Sequence, residues 1–295
     1  MLDPALVAQI RRIEIMTNRR VSSVLAGEYH SVFKGRGLEF DEVRPYQEGD
    51  DIRSIDWKVT ARTGGLHVKR YSEERELTVL LVVDVSGSGL FGTGSAFKSE
   101  LAVELSALLA FSAIRNSDRV GLVLFSDRVE KVIPPKKGRN HILRLIREIL
   151  AHELDHVTHR AGTDLSGALE FTLQLLNRQA VVFVISDFLD EGFDKPLRLI
   201  NQRHDLIALQ MLDARERELP KIGLVTLEDA ETGRRLVVDT SRARVRRDFA
   251  RAQAARQQRL VDLFRRCGVD HVTLATDADP IDPIVRLFRR RAARS

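Results

Sequence analysis

Asp84, Ser86 and Ser88 stand at alternate positions in Asp84-Val85-Ser86-Gly87-Ser88, directly after the apolar run Leu77–Val83. That run is β-branched and aliphatic with little alternation, which predicts a strand buried on both faces. A carboxylate and two hydroxyls where such a strand gives way to a loop are hard oxygen donors suited to Mg²⁺ or Mn²⁺. Two later places offer the same chemistry: Thr163 in Ala161-Gly162-Thr163-Asp164, and Asp187 at the end of the run Ala180–Ser186. An aspartate leaving the end of a buried strand is costly unless it meets a cation or hydrogen-bond donors.

A second chemistry is spelled by His152-Glu153-Leu154-Asp155-His156. On a helix the two histidines share one face and the glutamate is a possible base, as in zinc hydrolases. His159 is too close for an extended three-histidine pattern, and Glu170 falls on a different predicted helix, so a solvated helix end is the preferred reading. Gly87, Gly89, Gly92 and Gly94 do not have phosphate-loop spacing, and Ser86 lacks a nucleophile-elbow context. Cys267, the single cysteine, is read as a packing residue near a helix end and excludes an internal disulfide.

The elements that must position these donors alternate from Glu76 onward. Strands are predicted at 77–84, 119–125, 129–134, 180–186, 205–212 and 271–275, and helices at 97–114, 140–152, 165–176, 195–202, 242–267 and 284–291. This pattern predicts an α/β fold, a doubly wound, mostly parallel sheet with helices on both faces and ligand loops at one edge. Leu224–Leu227 and Arg235–Val238 flank Glu231-Thr232-Gly233 and predict an inserted β-hairpin. Ahead of the sheet, residues 4–20 have helical apolar spacing. Gly27–Arg62 is rich in Gly, Arg and acidic residues, so 1–75 is expected to form an N-terminal arm or small subdomain and 76–295 the main domain.

With 295 residues and 43% hydrophobic content, the chain is long enough for one large core or a main domain with a smaller one. No window approaches the roughly 20 apolar residues of a membrane helix, and no signal-peptide core follows Met1-Leu2-Asp3-Pro4, so a cytoplasmic location is expected. The net charge of +5 is concentrated in arginines at 242–266 and 286–294. These suit an anionic partner such as nucleic acid, yet the aromatic content is 6%, too little for a base-stacking platform, and a solvated helix face is the plainer reading.

The ordered set Asp84-x-Ser86-x-Ser88, Thr163 and Asp187 resembles the metal-ion-dependent adhesion site of von Willebrand factor A domains. That resemblance implies that Ser86, Ser88 and Thr163 bring hydroxyl oxygens to a Mg²⁺ or Mn²⁺ ion. Asp84 and Asp187 then act mainly through waters or by orienting the serines. It implies a docking site that captures an acidic partner side chain, not a catalytic one.

Three N-terminal stretches, Gly35-Arg36-Gly37-Leu38-Glu39-Phe40, Val43-Arg44-Pro45-Tyr46 and Gly49-Asp50-Asp51-Ile52-Arg53-Ser54-Ile55-Asp56-Trp57, resemble the signature of the domain-of-unknown-function 58 family. Thr60-Ala61-Arg62 and Val68-Lys69-Arg70 extend the match. Membership implies a bacterial, non-enzymatic adaptor or chaperone-like protein with a MoxR-type AAA+ ATPase and an unidentified client as partners. Asp50, Asp51, Arg53 and Asp56 are expected to form an ion-pair network pinning the arm, with Ile55 and Trp57 as packing anchors.

Overall fold

The computed structural model describes residues 4–20, 24–33, 39–72, 76–90, 97–156, 162–228 and 233–294. In chain order the elements are α1 (Pro4–Arg20), α2 (Val24–Val32), β1 (Glu39–Pro45), α3 (Trp57–Thr63) and β2 (His67–Ser72). They are followed by β3 (Thr78–Asp84), α4 (Lys98–Arg115), β4 (Arg119–Phe125), β5 (Val129–Lys136), α5 (Arg139–His156) and α6 (Leu165–Leu175). The remainder is β6 (Val181–Ser186), α7 (Asp194–Arg203), β7 (Asp205–Leu212), α8 (Ala214–Arg217), β8 (Leu224–Glu228), β9 (Arg235–Asp239), α9 (Ala243–Cys267), β10 (Asp270–Ala275) and α10 (Ile281–Ala292).

The chain divides into two units, Phe33–Leu77 and the remainder, Met1–Val32 with Thr78–Ser295. Helices α1 and α2 thus belong with the sheet and not with an arm ending at 75. Tyr29 of α2 shows the cause. Its ring is buried edge-on against Phe288, 6.1 Å away, and its hydroxyl donates to Asp118 Oδ2 at 3.0 Å. Likewise Glu14 of α1 accepts from Arg139 Nε of α5 at 2.5 Å.

The larger unit is the expected mixed α/β fold. Its six-stranded sheet runs β10-β7-β6-β3-β4-β5, with β5 antiparallel at one edge and every other pairing parallel. Strands β3 and β6 are buried along nearly their whole length, as their unbroken aliphatic runs require. Helix α4 is buried on most of its circumference, and Ser106 and Ser112 satisfy their hydroxyls on carbonyls four residues back. From β3 the chain passes to β4 on one side, whereas from β6 it passes to β7 on the other. The crevice beyond the carboxyl ends of β3 and β6 is therefore a topological switch point, where open α/β sheets bind ligands. The predicted hairpin is present as β8 and β9, antiparallel with Val225 opposite Val238 and Leu227 opposite Leu236; Glu231 and Thr232, read as its turn, lie outside the described residues.

The smaller unit is a two-stranded antiparallel ribbon, β1 with β2, carrying α3 between them. The acidic residues of the Gly49–Trp57 stretch bond locally. Asp50 receives both guanidinium nitrogens of Arg44, at 2.7 and 2.8 Å, while Asp51 accepts from Arg53 N and Asp56 caps α3 through Lys58 N and Val59 N. Ile55 is half-buried and bridges to Val68. Trp57 is no anchor: it is 65% exposed, because the Asp56 cap fixes it as the first residue of a short helix that buries no residue completely. Gly35, Arg36, Gly37 and Leu38 lie outside the described residues.

Candidate functional site

Strand β3 delivers Asp84 to the switch point with the side chain buried. Its Oδ1 accepts the backbone N–H of Ser86 at 3.0 Å, an Asx turn that bends the chain out of the sheet. Its Oδ2 accepts the hydroxyl of Ser186 at 2.6 Å, which ties the end of β3 to the end of β6. The bend places the hydroxyl oxygens of Ser86 and Ser88 3.0 Å apart, both residues buried.

The second loop reaches the same edge through its backbone. Asp164 N donates to Ser126 O at 2.7 Å, just past the end of β4, and Leu165 N donates to Asp190 Oδ2 at 2.9 Å. Thr163, half-buried, precedes both anchors. Asp164 also caps α6 by accepting from Gly167 N at 2.8 Å, and a Cβ at 167 would push the Asp164 carboxylate aside, lying 2.3 Å from its Oδ2.

The third loop begins at Asp187, which is buried, and its Oδ1 accepts from Leu189 N at 3.2 Å. Phe188 follows with φ +55°, a conformation that bulky residues rarely adopt. Packing holds it there: the ring stands edge-on to Phe264 at 5.1 Å and lies 6.1 Å from Phe193. Left-handed backbone at a non-glycine residue costs on the order of 1–3 kcal/mol, and the buried ring offsets it.

Lysine 98 is the residue that the reading of motifs missed. It opens α4, is fully buried, and its ammonium donates to Asp187 Oδ2 at 2.8 Å and to Glu216 Oε1. Burial pulls its pKa down, but the charges of Asp187 and Glu216 outweigh that and the net is a raised value. A lysine opening a helix otherwise apolar on most sides was the available signal. Ser186 was noticed only as the neighbour of Asp187, although its hydroxyl joins the two strand ends.

Asp84 is driven the other way. Burial, and then repulsion from Asp187, raise its carboxyl to about 6, while hydrogen bonds from Ser186 and Ser86 oppose the rise. Two carboxylates, Asp187 and Glu216, thus hold the Lys98 ammonium, and a third, Asp84, lies near enough to Asp187 to be repelled by it. The excess of two negative charges and an all-oxygen donor set fit a hard divalent cation. In this respect the residues fit the ion that the adhesion-site resemblance implies.

The rival zinc set is less developed. Helix α5 extends to His156, beyond the 152 expected, but the side chains of Glu153 and His156, with all of His159, lie outside the described residues. Among the described residues no cluster of three His, Cys, Asp or Glu side chains forms a metal-binding group. Cys267 is buried in the core at the end of α9, the packing role read from its position.

Comparisons with known proteins give a family and several similar chains. Residues 42–259 match the family described as "Protein of unknown function DUF58". The uncharacterized protein Rv1480 of Mycobacterium tuberculosis is 36% identical over 296 residues, covering 99% of this chain and 92% of that one. Among solved structures, an aerotolerance-related membrane protein from Bacteroides fragilis aligns with a TM-score of 0.44 and 13% identity over 74% of this chain and 100% of that one. A von Willebrand factor type A protein from Catenulispora acidiphila aligns with a TM-score of 0.33 and 9% identity, over 77% and 43%.

The expectation of a cytoplasmic protein is corrected here. Structural neighbours include that membrane protein and a membrane-spanning protein from Vibrio fischeri. Among the described residues no helix is long and apolar enough to cross a membrane, and this does not place the chain in the cytoplasm.

Proposed function

Because this chain belongs to the DUF58 family and has a von Willebrand factor A-like fold, we propose that it is a protein-interaction module that docks an acidic partner side chain through a divalent ion at Asp84, Ser86, Ser88, Thr163 and Asp187. The observation that carries this reading is the convergence of buried oxygen donors at the switch point between β3 and β6, with more carboxylate than ammonium charge. Ser86, Ser88 and Thr163 would hold Mg²⁺ or Mn²⁺ by neutral oxygens; Asp84 would orient Ser86, and Asp187 would balance charge while sharing itself with Lys98. When bound, the ion supplies an electrophilic coordination position that a carboxylate oxygen can fill. No group on this chain is assigned a proton transfer or a nucleophilic attack. The family resemblance adds the partner: a MoxR-type AAA+ ATPase, with the chain as its adaptor toward a client protein.

Thermal unfolding of the wild type and Asp84→Ala with Mg²⁺, Mn²⁺, Zn²⁺ or chelator tests the ion. A ligand at about 100 times its dissociation constant adds roughly 2.7 kcal/mol. Stabilisation by Mg²⁺ or Mn²⁺ that Asp84→Ala abolishes is expected, followed by chelator-sensitive capture of the ATPase. Stabilisation by Zn²⁺ alone, retained in Asp84→Ala, sinks the reading.

A further inference from the structure

Lys98 opens α4 although the first turn of a helix disfavours a cation and a buried ammonium is costly to dehydrate. Two carboxylates from other parts of the sheet edge account for it. Asp187, just past β6, accepts from the ammonium at 2.8 Å, and Glu216 of α8 accepts through Oε1. A buried ion pair adds little stability over apolar side chains of the same shape, and its best-attested use is to fix a register or a switch.

Both carboxylates divide their oxygens between two tasks. Asp187 gives Oδ1 to Leu189 N and Oδ2 to the ammonium, so an ion or its water that draws on Oδ2 must share it with Lys98. Glu216 gives Oε1 to the ammonium and Oε2 to Asp213 N at 3.0 Å, which closes the capping box of α8. Asp213 is buried and fixed in turn, its Oδ1 accepting from Arg215 N at 2.8 Å and its Oδ2 from the Thr276 hydroxyl at 2.9 Å. A single side chain thus spans from an aspartate of the metal motif to the cap of a separate helix. Asp187 and the α8 residues Arg215, Glu216 and Arg217 line the same cleft, about 820 Å³, so α8 borders the approach to the ion site.

We infer that Lys98 couples ion binding at the candidate site to α8: a divalent ion and the ammonium compete for Asp187 Oδ2, and the displaced ammonium settles on Glu216. The coupling rests on the docking reading above and gives the ion a structural output. Repulsion between two cations on one carboxylate drives the transfer, and Glu216 keeps the ammonium paired after it. With the whole ammonium on Glu216 the capping box is held more firmly, so an occupied site has a stiffer α8 beside it. By linkage, whatever orders α8 in this way raises the affinity of the site for the ion by the same factor.

Calorimetric Mg²⁺ titration of the full chain, in wild type, Lys98→Met, Glu216→Gln and the double variant, tests the link. Lys98→Met is expected to bind Mg²⁺ about fivefold tighter or more, and Glu216→Gln about fivefold weaker, because the ammonium then leans on Asp187 alone. In the Lys98→Met background Glu216→Gln is expected to shift the affinity by less than about twofold. An equal Glu216→Gln effect in both backgrounds makes Glu216 a direct charge on the ion and overturns the coupling. Hydrogen–deuterium exchange across residues 213–218 gives a readout apart from affinity: Mg²⁺ is expected to slow it in the wild type and in neither single variant. Glu216→Gln carries this test even where Lys98→Met fails to fold, since Glu216 lies on a short helix that buries no residue completely. Unchanged or faster exchange in the wild type, or slowing that Glu216→Gln keeps, overturns the coupling and leaves the docking reading standing. A wild type that binds no Mg²⁺ sinks both.

Discussion

Lys98 Nζ lies 2.8 Å from Asp187 Oδ2, with the two side chains 0% and 3% exposed. A built-in cation thus sits on one of the two carboxylates that the adhesion-site motif assigns to a metal. Through Glu216 the same ammonium reaches α8, whose first turn is capped by Asp213, which in turn accepts the hydroxyl of Thr276 at 2.9 Å. The candidate metal site and α8 are thus joined by one ion-pair network.

Replacing Lys98 by Met leaves buried Asp187 and half-buried Glu216 without their ammonium. Loss of one partner from a buried pair costs about 3–5 kcal/mol, to be read from urea unfolding in chelator. The increment added by Mg²⁺ should be larger in the variant than in the wild type, because the site has lost its competing positive charge. An equal or smaller increment shows that Lys98 and the ion do not share Asp187.

Asp84 sets a pH dependence whose sign can be worked out. Its folded value, about 6, lies above the ordinary 3.8, so the folded state holds the proton more tightly. The metal-free chain should therefore lose stability as pH rises between those values, by about 3 kcal/mol in all. Asp84→Asn, which stays neutral, should flatten that slope and melt higher than the wild type at pH 7 in chelator. Melting curves across this pH range decide it; parallel slopes would remove Asp84 as the source.

Phe188 stores backbone strain that its ring offsets. Phe188→Ala should cost about 3–5 kcal/mol through the cavity left against Phe264 and Phe193. Phe188→Gly loses the same ring but accepts the positive φ, so it should be less destabilising than Phe188→Ala by about 1 kcal/mol. Denaturant titration of the pair checks the order, and a glycine variant weaker than the alanine one would mean the conformation is not strained.

His204 is buried at the end of α7, and neither ring nitrogen has a hydrogen-bond partner among the described residues. Burial, then Arg203, lowers its pKa below 6.5, so the unfolded chain takes up the proton first and stability falls as pH drops below 6.5. His204→Leu should remove that acid-side loss and be neutral or stabilising at pH 7. A destabilised His204→Leu at neutral pH would point to a partner for the ring.

Tyr29→Phe tests the allocation of α2 to the sheet unit. Deleting the hydroxyl withdraws a donor from buried Asp118 and should cost about 1–3 kcal/mol of the sheet unit's stability. If α2 instead unfolds apart from the sheet, the main transition will not move.

Local patterns in the chain were enough to determine most of the fold and the candidate donors. Unbroken aliphatic runs at 77–84 and 180–186 can be stable only between two layers, and alternation with helical segments leaves a parallel sheet as the packing solution. Strand ends then follow, and with them Asp84, Ser86, Ser88 and Asp187 at one edge. What local patterns cannot carry is contact between residues far apart in sequence. Ser186 meets Asp84 across 102 positions, and Lys98 meets Asp187 across 89. The exposure of Trp57, the place of α1 and α2 with the sheet, and the positive φ of Phe188 were likewise decided by packing. Hydrophobic type predicts that a side chain seeks burial, but only the assembled layers supply, or fail to supply, the surface that buries it.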